Sequence, residues 1–429
     1  MKRFVYPIGL VLAAWVTGFL LLVLVYLIPQ DRMQSSVEQS LPTLEAFGGG
    51  GELLLGIPQS TLEYFTDVTM VSTAFAERGS LMDRVLLAQM CGEIGDAGSI
   101  RNYVYSDQRD TLRMDTYARY WHGYQIFLRP LLTVINVNQI RMLGMMCMCA
   151  LAMFIIVRLV QQQRIALLIP QFALFVMPAP FVLLINMQCY GVTFTTLLMI
   201  LLLLSGRFSG TRAILLFELG GILTSFFDLL SVPGITLGVP LVFYFSVRQD
   251  AGHSLRRACM EVLQILLAWE FGYGGMWAGK WIFATCLTGE NVIEDALQTV
   301  KLRSGSAWGE RQLSYFDTVQ KNWACFNTVV YKLLFIALAV VLCVFLLRGW
   351  RFRLKKEMLL GVVLASLFPF LWYRMTINHS YLHYYFACKE LVIFLYGIVT
   401  AAFASLSKRS ALSLQEREHA ELMTPVEGT

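Results

Sequence analysis

Charged residues are scarce in this sequence. Asp, Glu, Lys and Arg make up 15% of the 429 residues, whereas about 25% is usual for a soluble domain. Hydrophobic residues account for 57%, and the mean hydropathy is +0.59. So few charges cannot cover a large soluble surface, and the composition therefore predicts an integral membrane protein.

Several short motifs are also missing. The sequence has no GxxxxGK[ST] motif and no glycine-rich turn between a strand and a helix, which argues against a nucleotide site. None of the nine cysteines has the CxxC spacing of a zinc site. Cys286 and Cys325 flank a loop, where a disulfide between them is an alternative to two free thiols. The net charge of +5 reflects basic loops and does not indicate nucleic acid binding.

What the sequence does contain is a series of apolar stretches of about 17–25 residues, the length of a helix that crosses a membrane. We predict an all-α polytopic membrane protein with about ten transmembrane helices. The predicted spans are 4–29, 143–160, 165–185, 189–205, 212–228, 231–247, 259–285, 329–347, 357–372 and 391–407.

Basic residues recur after every second predicted span, and such residues stay in the cytoplasm when loops are short. The sequence therefore predicts a multi-pass protein of the cell membrane with both termini in the cytoplasm. Two long segments would lie outside, and the first would contain amphipathic helices. The predicted regions are a first span (1–29), an extracytoplasmic loop (30–142), spans two to seven (143–285), a second extracytoplasmic loop (286–328), spans eight to ten (329–407) and a cytoplasmic tail (408–429).

Two stretches of the first loop combine apolar, aromatic and charged residues. "PQSTLEYFTDVTMVSTAFA" predicts a short amphipathic helix that carries Asp67. "MDTYARYWHGYQIFLRPLL" predicts an interfacial helix in which Arg119 and His122, three residues apart, share a face. Its tyrosines and tryptophan suit the membrane surface, but they could equally stack on a sugar or shield a phosphate.

Polar residues also occur at the outer ends of predicted spans. Lys280 and Asp228 are predicted at the same level of the membrane, where an unpaired charge is costly. In "RMTINHSYLHYYFACKEL", a continuous helix would place His379, His383 and Glu390 on one face. Arg374 and Lys389 flank that face. Such cations favour a site for an anionic phosphate, and a divalent metal ion on the two histidines is the alternative.

A site outside the cell has no nucleotide-activated substrates, so an energy-rich donor must arrive anchored in the lipid. A polyprenyl-phosphate sugar meets this requirement. A carboxylate would deprotonate the acceptor hydroxyl, and Lys, Arg and His side chains would stabilise the departing phosphate. The single displacement would invert the anomeric carbon. The predicted partners are membrane lipid, the polyprenyl-phosphate sugar and a cell-envelope acceptor.

These features resemble the GT-C superfamily of membrane glycosyltransferases, which shares the long first outer loop with an acidic residue. The stretches "TLEYFTDVTMV", "YARYWHGYQIFLRPLL", "SFFDLLSVPGITLGVP", "LTGENVIEDA" and "NHSYLHYYFACKEL" resemble a group of multi-pass proteins of Gram-positive bacteria that we associate with this class. The resemblance implies that Asp67 is the catalytic base, with Asp83 and Asp115 as reserves. The acidic pair of protein mannosyltransferases is absent, since Glu63 and Asp67 are four residues apart.

Three other functions remain open at this point. A flippase or transporter for lipid-linked sugars would share the membrane location, although no internal repeat is evident and the long first loop would have no role. A metal-dependent phospho- or acyltransferase could use His379, His383 and a first-loop carboxylate. A purely structural protein is the last alternative.

Overall fold

The computed structural model describes residues 2–46, 51–54, 56–62, 64–177, 184–248 and 254–408. Glu63 and residues 409–429 of the predicted tail lie outside these ranges. The described chain is nearly all-α, with 75% helix. Its helices are α1 (Lys2–Tyr26), α2 (Gln34–Ala46), α3 (Tyr64–Phe75), α4 (Leu81–Leu86), α5 (Ala97–Tyr105), α6 (Gln125–Leu132), α7 (Val137–Gln161), α8 (Leu168–Val176), α9 (Tyr190–Leu204), α10 (Thr211–Phe227), α11 (Ile235–Val247), α12 (Leu255–Thr288), α13 (Val292–Ser304), α14 (Tyr315–Ala324), α15 (Val329–Leu347), α16 (Lys356–Ser366), α17 (Phe368–Met375), α18 (Ile377–Leu382), α19 (Tyr384–Ala387) and α20 (Leu391–Ala404).

Short antiparallel strand pairs and single 3-10 turns complete the described structure. The strands pair as β1 (Gln89–Cys91) with β2 (Met114–Thr116), β3 (Ala307–Trp308) with β4 (Arg311–Gln312), and β5 (Trp350–Phe352) with β6 (Leu406–Lys408). The 3-10 turns are Gln30–Arg32, Pro58–Ser60, Arg109–Thr111, Ile165–Leu167, Met187–Cys189 and Cys388–Glu390.

Within the part of the chain that the structure describes, six helical segments are long and apolar enough to cross a membrane: Tyr6–Tyr26, Val137–Gln161, Met187–Leu204, Val329–Leu347, Lys356–Met375 and Tyr384–Ala404. Two more apolar helices, Ile165–Val176 and Ile235–Val247, are shorter. The predicted all-α membrane class is thus supported, but the count of about ten spans is not reached. Helix α10 has only 17 residues, and the 34-residue α12 carries Glu261, Glu270 and Lys280 among its apolar residues.

Helices α10 and α12 pack closely against each other. At Gly221 of α10, an added Cβ would lie 2.1 Å from the carbonyl oxygen of Trp269. At Gly272 of α12, it would lie 2.2 Å from the carbonyl oxygen of Glu218. Small residues at such positions let two backbones approach closely. This contact fixes the position of α12, along which the candidate site is built.

The two long loop segments lie at one end of the bundle, which we call the loop face. The described residues between 27 and 136 fold there around their own buried cluster, to which α2, α3, α5 and α6 contribute. Buried Trp121 donates a 2.6 Å hydrogen bond to the carbonyl oxygen of Met276 and so ties this segment to α12. The loop face is therefore a packed layer over the helices.

The two helices predicted in the first loop differ from the structure. The first is confirmed only from Tyr64 to Phe75, after a separate 3-10 turn. The second, over 114–132, is wrong before Gln125, because the chain passes from β2 into an irregular segment. His122 there adopts φ +55°. Gly123 follows so close to Phe226 that a Cβ would lie 2.5 Å from the Phe226 carbonyl oxygen.

Candidate functional site

A cavity of about 300 Å³ lies between α12, α13 and α17 at the loop face. One face of α12 forms its long wall with Glu270, Tyr273, Trp277 and Trp281, whose spacings of three and four residues put them on the same side of a helix. These residues span about 16 Å along the helix axis at 1.5 Å per residue. The cavity is therefore an elongated groove with mainly aromatic and apolar walls.

Two arginines line the end of the cavity nearest the loop face. Arg119 forms a 3.0 Å ion pair with Asp295 and lies 4.7 Å from the centre of the Tyr117 ring. Arg303 of α13 donates a 2.9 Å hydrogen bond to Nε2 of His383. Because Nε2 accepts, His383 is neutral in this arrangement, and burial and the nearby guanidinium lower its pKa to about 4. This end of the groove is electropositive.

The segment between α10 and α11 forms another wall, in which Leu230 adopts φ +65° and lines the cavity. Three side chains hold this segment. Asp228 accepts hydrogen bonds from the backbone N–H, at 2.9 Å, and the hydroxyl of Ser231. His379 donates to the Leu230 carbonyl at 3.0 Å, and Glu390 accepts from the Gly234 N–H at 3.0 Å. The left-handed conformation of a leucine is unfavourable, so these contacts fix the shape of the wall.

The facing wall is held by the irregular segment after β2. Trp281 donates a 2.9 Å hydrogen bond to the Arg119 carbonyl, and the ring of Tyr120 meets that of Trp277 edge-on at 6.0 Å. His122 contacts the Tyr117 carbonyl at 2.8 Å and the Tyr124 hydroxyl at 2.7 Å. Burial and the charge of Lys280 lower the pKa of His122 to about 3, so it is a neutral support.

Glu270 lies at the far end of the groove. It is half-buried and makes no hydrogen bond or ion pair with any residue that the structure describes. One turn nearer the loop face, Gly274 faces open space, because an added Cβ would meet nothing within 4 Å. The groove thus has open space beside Gly274, and its deep end carries a single carboxyl group among the described residues.

Asp67 does not reach this cavity. Its side chain is fully buried, and one carboxylate oxygen accepts hydrogen bonds from Arg141 at 2.6 and 3.1 Å. Arg141 in turn lies 4.8 Å from the centre of the Tyr64 ring. Burial raises the pKa of Asp67, while Arg141 opposes that shift. This placement gives Asp67 a structural partner on α7 and does not support its predicted role as the base.

The reserve acids also lie away from the groove. Asp83 caps α4, where it accepts from the Ser80 backbone N–H at 2.9 Å. Asp115 in β2 forms a 3.1 Å ion pair with Arg113 on the surface.

Three predicted cations likewise lie outside the cavity lining. Lys280 is fully buried and donates a 2.6 Å hydrogen bond to the Leu86 carbonyl. Lys389 is buried beside α14, and Arg374 is exposed on α17. Of the ten predicted site residues, only Arg119 lines the cavity. Asp228, His122, His379, His383 and Glu390 support its walls from behind.

The predicted continuous helix through His379 and Glu390 is wrong. Helix α18 ends at Leu382, and His383 has non-helical angles (φ −99°, ψ 35°). The two imidazole rings still meet, with centroids 4.9 Å apart, but Glu390 turns towards Gly234 instead. Among the described residues, no group of three His, Cys, Asp or Glu side chains is arranged to hold a metal ion.

The disulfide considered between Cys286 and Cys325 is not present. Both residues are free cysteines. Cys286 is exposed at the end of α12, whereas Cys325 is buried after α14. The Cys325 thiol instead donates to the Lys321 carbonyl at 3.8 Å.

Sequence reasoning missed Arg303 and the groove wall of α12. The spacing of Glu270, Tyr273, Trp277 and Trp281 is a readable signal, since an acidic residue and three aromatics share one helical face. Arg303 gave no such signal, because it belongs to a loop helix whose position depends on tertiary contacts.

No family model, curated protein or solved structure matches this chain.

Proposed function

We propose that this protein is a membrane glycosyltransferase whose donor is a polyprenyl-phosphate sugar bound in the groove. The observation that carries the proposal is the polarity of the cavity, which has two guanidinium groups at the loop face and an aromatic trough below them. A lipid phosphate has the same polarity, with an anion at one end and an apolar chain at the other.

The two ends of the groove suit the two parts of this donor. Arginine binds phosphate through paired charge-assisted hydrogen bonds. In the structure, Arg119 forms an ion pair with Asp295, and Arg303 donates a hydrogen bond to His383. A phosphate would compete for those hydrogen bonds. The first isoprene units would lie along Trp281, Trp277 and Tyr273 of α12.

The transfer step also needs a carboxylate near the phosphate. Asp295 is paired with Arg119 and its side chain is 54% exposed, so it is accessible where Asp67 is not. We assign to Asp295 the role of general base. It takes the proton of the acceptor hydroxyl as that oxygen bonds to the anomeric carbon, and the bond to the phosphate oxygen breaks with its electron pair. Arg119 and Arg303 stabilise the phosphate as it leaves.

The proposed location follows from the same arrangement. Basic residues cluster at the end of the bundle opposite the loop face, including Arg158, Arg256 and Arg348, which favours a cytoplasmic location for that end. The protein would then be multi-pass, with the groove on the extracytoplasmic side, where a cell-envelope acceptor is available.

Sugar transfer from a labelled polyprenyl-phosphate donor in reconstituted vesicles tests the proposal. We expect Asp295→Asn to reduce turnover by about 100-fold or more, and Arg119→Ala to weaken both donor binding and turnover. Asp115→Asn is the matched control, because it alters a partly exposed acid of the first loop that lies outside the cavity. Full sugar transfer by Asp295→Asn would show that Asp295 is not the base. The absence of sugar transfer in every vesicle preparation would contradict the enzyme assignment.

A flippase for lipid-linked sugars is the second candidate, and Glu270 is the observation that favours it. This residue is 15 positions from the start of α12 and 18 from its end, and therefore close to mid-membrane if α12 spans the bilayer. A carboxyl group in a groove at that depth could hydrogen-bond to the polar headgroup of a lipid as the headgroup passes from one leaflet to the other. Movement of the labelled lipid across vesicle membranes without transfer to an acceptor would favour this function.

A further inference from the structure

The second loop carries a two-stranded hairpin next to the groove. Its strands β3 and β4 place Trp308 directly opposite Arg311, and both side chains are exposed. Side chains of opposite residues in an antiparallel pair lie on the same face, so the Trp308 ring and the Arg311 guanidinium lie side by side. Leu313, which follows β4, is buried with Ile377 and Tyr381 of α18. This small cluster fixes the base of the hairpin.

Two cations of the second loop converge on the ring of Tyr381. The Lys321 ammonium of α14 lies 4.0 Å from the centre of that ring, and the guanidinium carbon of Arg311 lies 5.4 Å from it. The Trp308 ring lies beside them, with its centre 6.4 Å from the centre of the Tyr381 ring. We call this group of four residues the platform: Trp308, Arg311, Lys321 and Tyr381.

The positive charges of the platform have no carboxylate partner in the part of the chain that the structure describes. Neither Arg311 nor Lys321 forms an ion pair there. Asp317, one turn before Lys321, instead accepts a hydrogen bond from the Ser314 N–H at the start of α14. Burial and the charge of Arg311 lower the pKa of Lys321, as expected for two like charges. A bound anion would relieve this repulsion.

The platform is attached to the wall of the groove. Ser304 lines the cavity, and Trp308 follows it by four residues, so their Cα atoms are at most about 14 Å apart. The Asn378 side chain donates a 2.8 Å hydrogen bond to the Ala307 carbonyl. The next residue of α18, His379, holds the groove wall from the other side. The platform and the groove therefore keep a fixed distance from each other.

We propose that the platform is a second binding site, which takes a carbohydrate that carries a phosphate or carboxylate group. Arg311 and Lys321 bind the anion, and the exposed Trp308 ring packs on the apolar C–H face of a sugar. This inference rests on the proposed function, in which the bound carbohydrate is the acceptor. Its hydroxyl group then lies within reach of the groove.

The separation between the platform and the groove has a chemical consequence. Asp295 is negatively charged as the general base, and it repels an anion placed next to it. The donor phosphate adds further negative charge at Arg119 and Arg303. An acceptor whose anion is held on the platform presents only a neutral hydroxyl group to the groove, so the like charges stay apart.

Ligand-observed NMR of the purified full-length protein tests the site, with glucose 6-phosphate and glucose as probes. We expect glucose 6-phosphate to bind at least about tenfold more tightly than glucose. Arg311→Ala and Lys321→Ala should each weaken its binding by about tenfold. Neither side chain is buried, so both variants should keep the wild-type unfolding midpoint. The control Lys301→Ala removes an exposed cation of α13 outside the platform and should bind like the wild type.

Equal binding of the two probes, or wild-type binding by both platform variants, would overturn the site. Loss of binding in Arg119→Ala alone would place the sugar phosphate in the groove and would overturn it as well. Native mass spectrometry of protein from phosphatidylglycerol vesicles tests a lipid headgroup as the source of the phosphate. If Arg311→Ala and Lys321→Ala lose bound phosphatidylglycerol but still bind glucose 6-phosphate, the cations bind lipid and the carbohydrate site is wrong.

The sugar-transfer assay separates failure of this site from failure of the proposed function. Probe binding that both platform variants lose, without sugar transfer by the wild type, would support the carbohydrate site and contradict the enzyme assignment alone. Sugar transfer by the wild type, with undiminished probe binding by both platform variants, would support the enzyme and overturn the platform.

Discussion

At the scale of single residues, the structure divides the polar groups into those that line the groove and those that hold its walls. Arg119 and Arg303 line the cavity. Asp228, His379 and Glu390 instead form hydrogen bonds with the backbone around Leu230. The sequence identifies most of the second group as site residues. It does not distinguish residues that hold the walls of the groove from residues that line the cavity. That distinction depends on hydrogen bonds between residues up to 156 positions apart.

Asp67 provides a test of that distinction. We expect Asp67→Asn to lower the free energy of unfolding by about 3 kcal/mol, because it leaves the buried Arg141 charge without its partner. The double change Asp67→Asn with Arg141→Gln should recover part of the loss, and the exposed Asp115→Asn should have little effect. Thermal unfolding in detergent measures all three. An unchanged midpoint with lost sugar transfer would restore Asp67 as the base.

His122 predicts a pH dependence of stability. Its pKa is about 3 in the folded protein, compared with an ordinary value of 6.5, so between these values the unfolded chain binds a proton that the folded chain does not. Stability therefore falls as pH falls through this window, by roughly 2 kcal/mol between pH 6.5 and 5. The unfolding midpoint should decrease more between pH 7 and pH 5 for the wild type than for His122→Gln. An equal decrease in both proteins would contradict a neutral, buried imidazole.

At the scale of elements, α12 combines two functions in one helix. One side packs on α10 through Gly272, and another carries the groove residues from Glu270 to Trp281. The sequence predicts a helix over 259–285 from its apolar residues, and the structure extends it to Leu255–Thr288. It does not predict that residues 114–124 are irregular, because the aromatic pattern there arises from contacts with α12 and not from an interfacial helix.

Gly274 of α12 allows the groove to be filled without disturbing the fold. An added Cβ there meets nothing within 4 Å, so Gly274→Leu should fold normally and place its side chain where the lipid chain would lie. We expect at least about a tenfold loss of affinity for polyprenyl phosphate, equivalent to about 1.4 kcal/mol. Gly9→Leu on α1 is the control, since its Cβ position is equally open. Equal binding by both variants would place the lipid elsewhere.

At the scale of the whole molecule, the structure and the sequence differ in the number of membrane crossings. Among the described residues, hydropathy and length together identify six candidate spans, whereas the apolar stretches of the sequence predict about ten. The difference lies in helices such as α10, which has only 17 residues, and α12, whose Glu261, Glu270 and Lys280 lower its hydropathy. The sequence therefore predicts the class of the fold better than its exact topology.

The two exposed cysteines of α12 test whether this helix crosses the membrane. Cys259 and Cys286 are separated by 27 residues, or about 40 Å of helix, which exceeds the ~30 Å of hydrocarbon in a bilayer. We expect a membrane-impermeant maleimide to label Cys286 but not Cys259 in intact cells, and both after permeabilisation. Labelling of Cys259 alone would reverse the proposed orientation, and labelling of both in intact cells would mean that α12 does not span.

Direct binding of polyprenyl phosphate to the purified protein, followed by native mass spectrometry, tests the central claim that the groove holds a lipid-borne anion. We expect polyprenyl phosphate to bind, and the uncharged polyprenol to bind at least about tenfold more weakly. Arg119→Ala and Arg303→Ala should each remove most of this difference. The control Lys301→Ala, on the exposed side of α13, should bind like the wild type. Equal binding of the alcohol and the phosphate, or undiminished phosphate binding by both arginine variants, would contradict it.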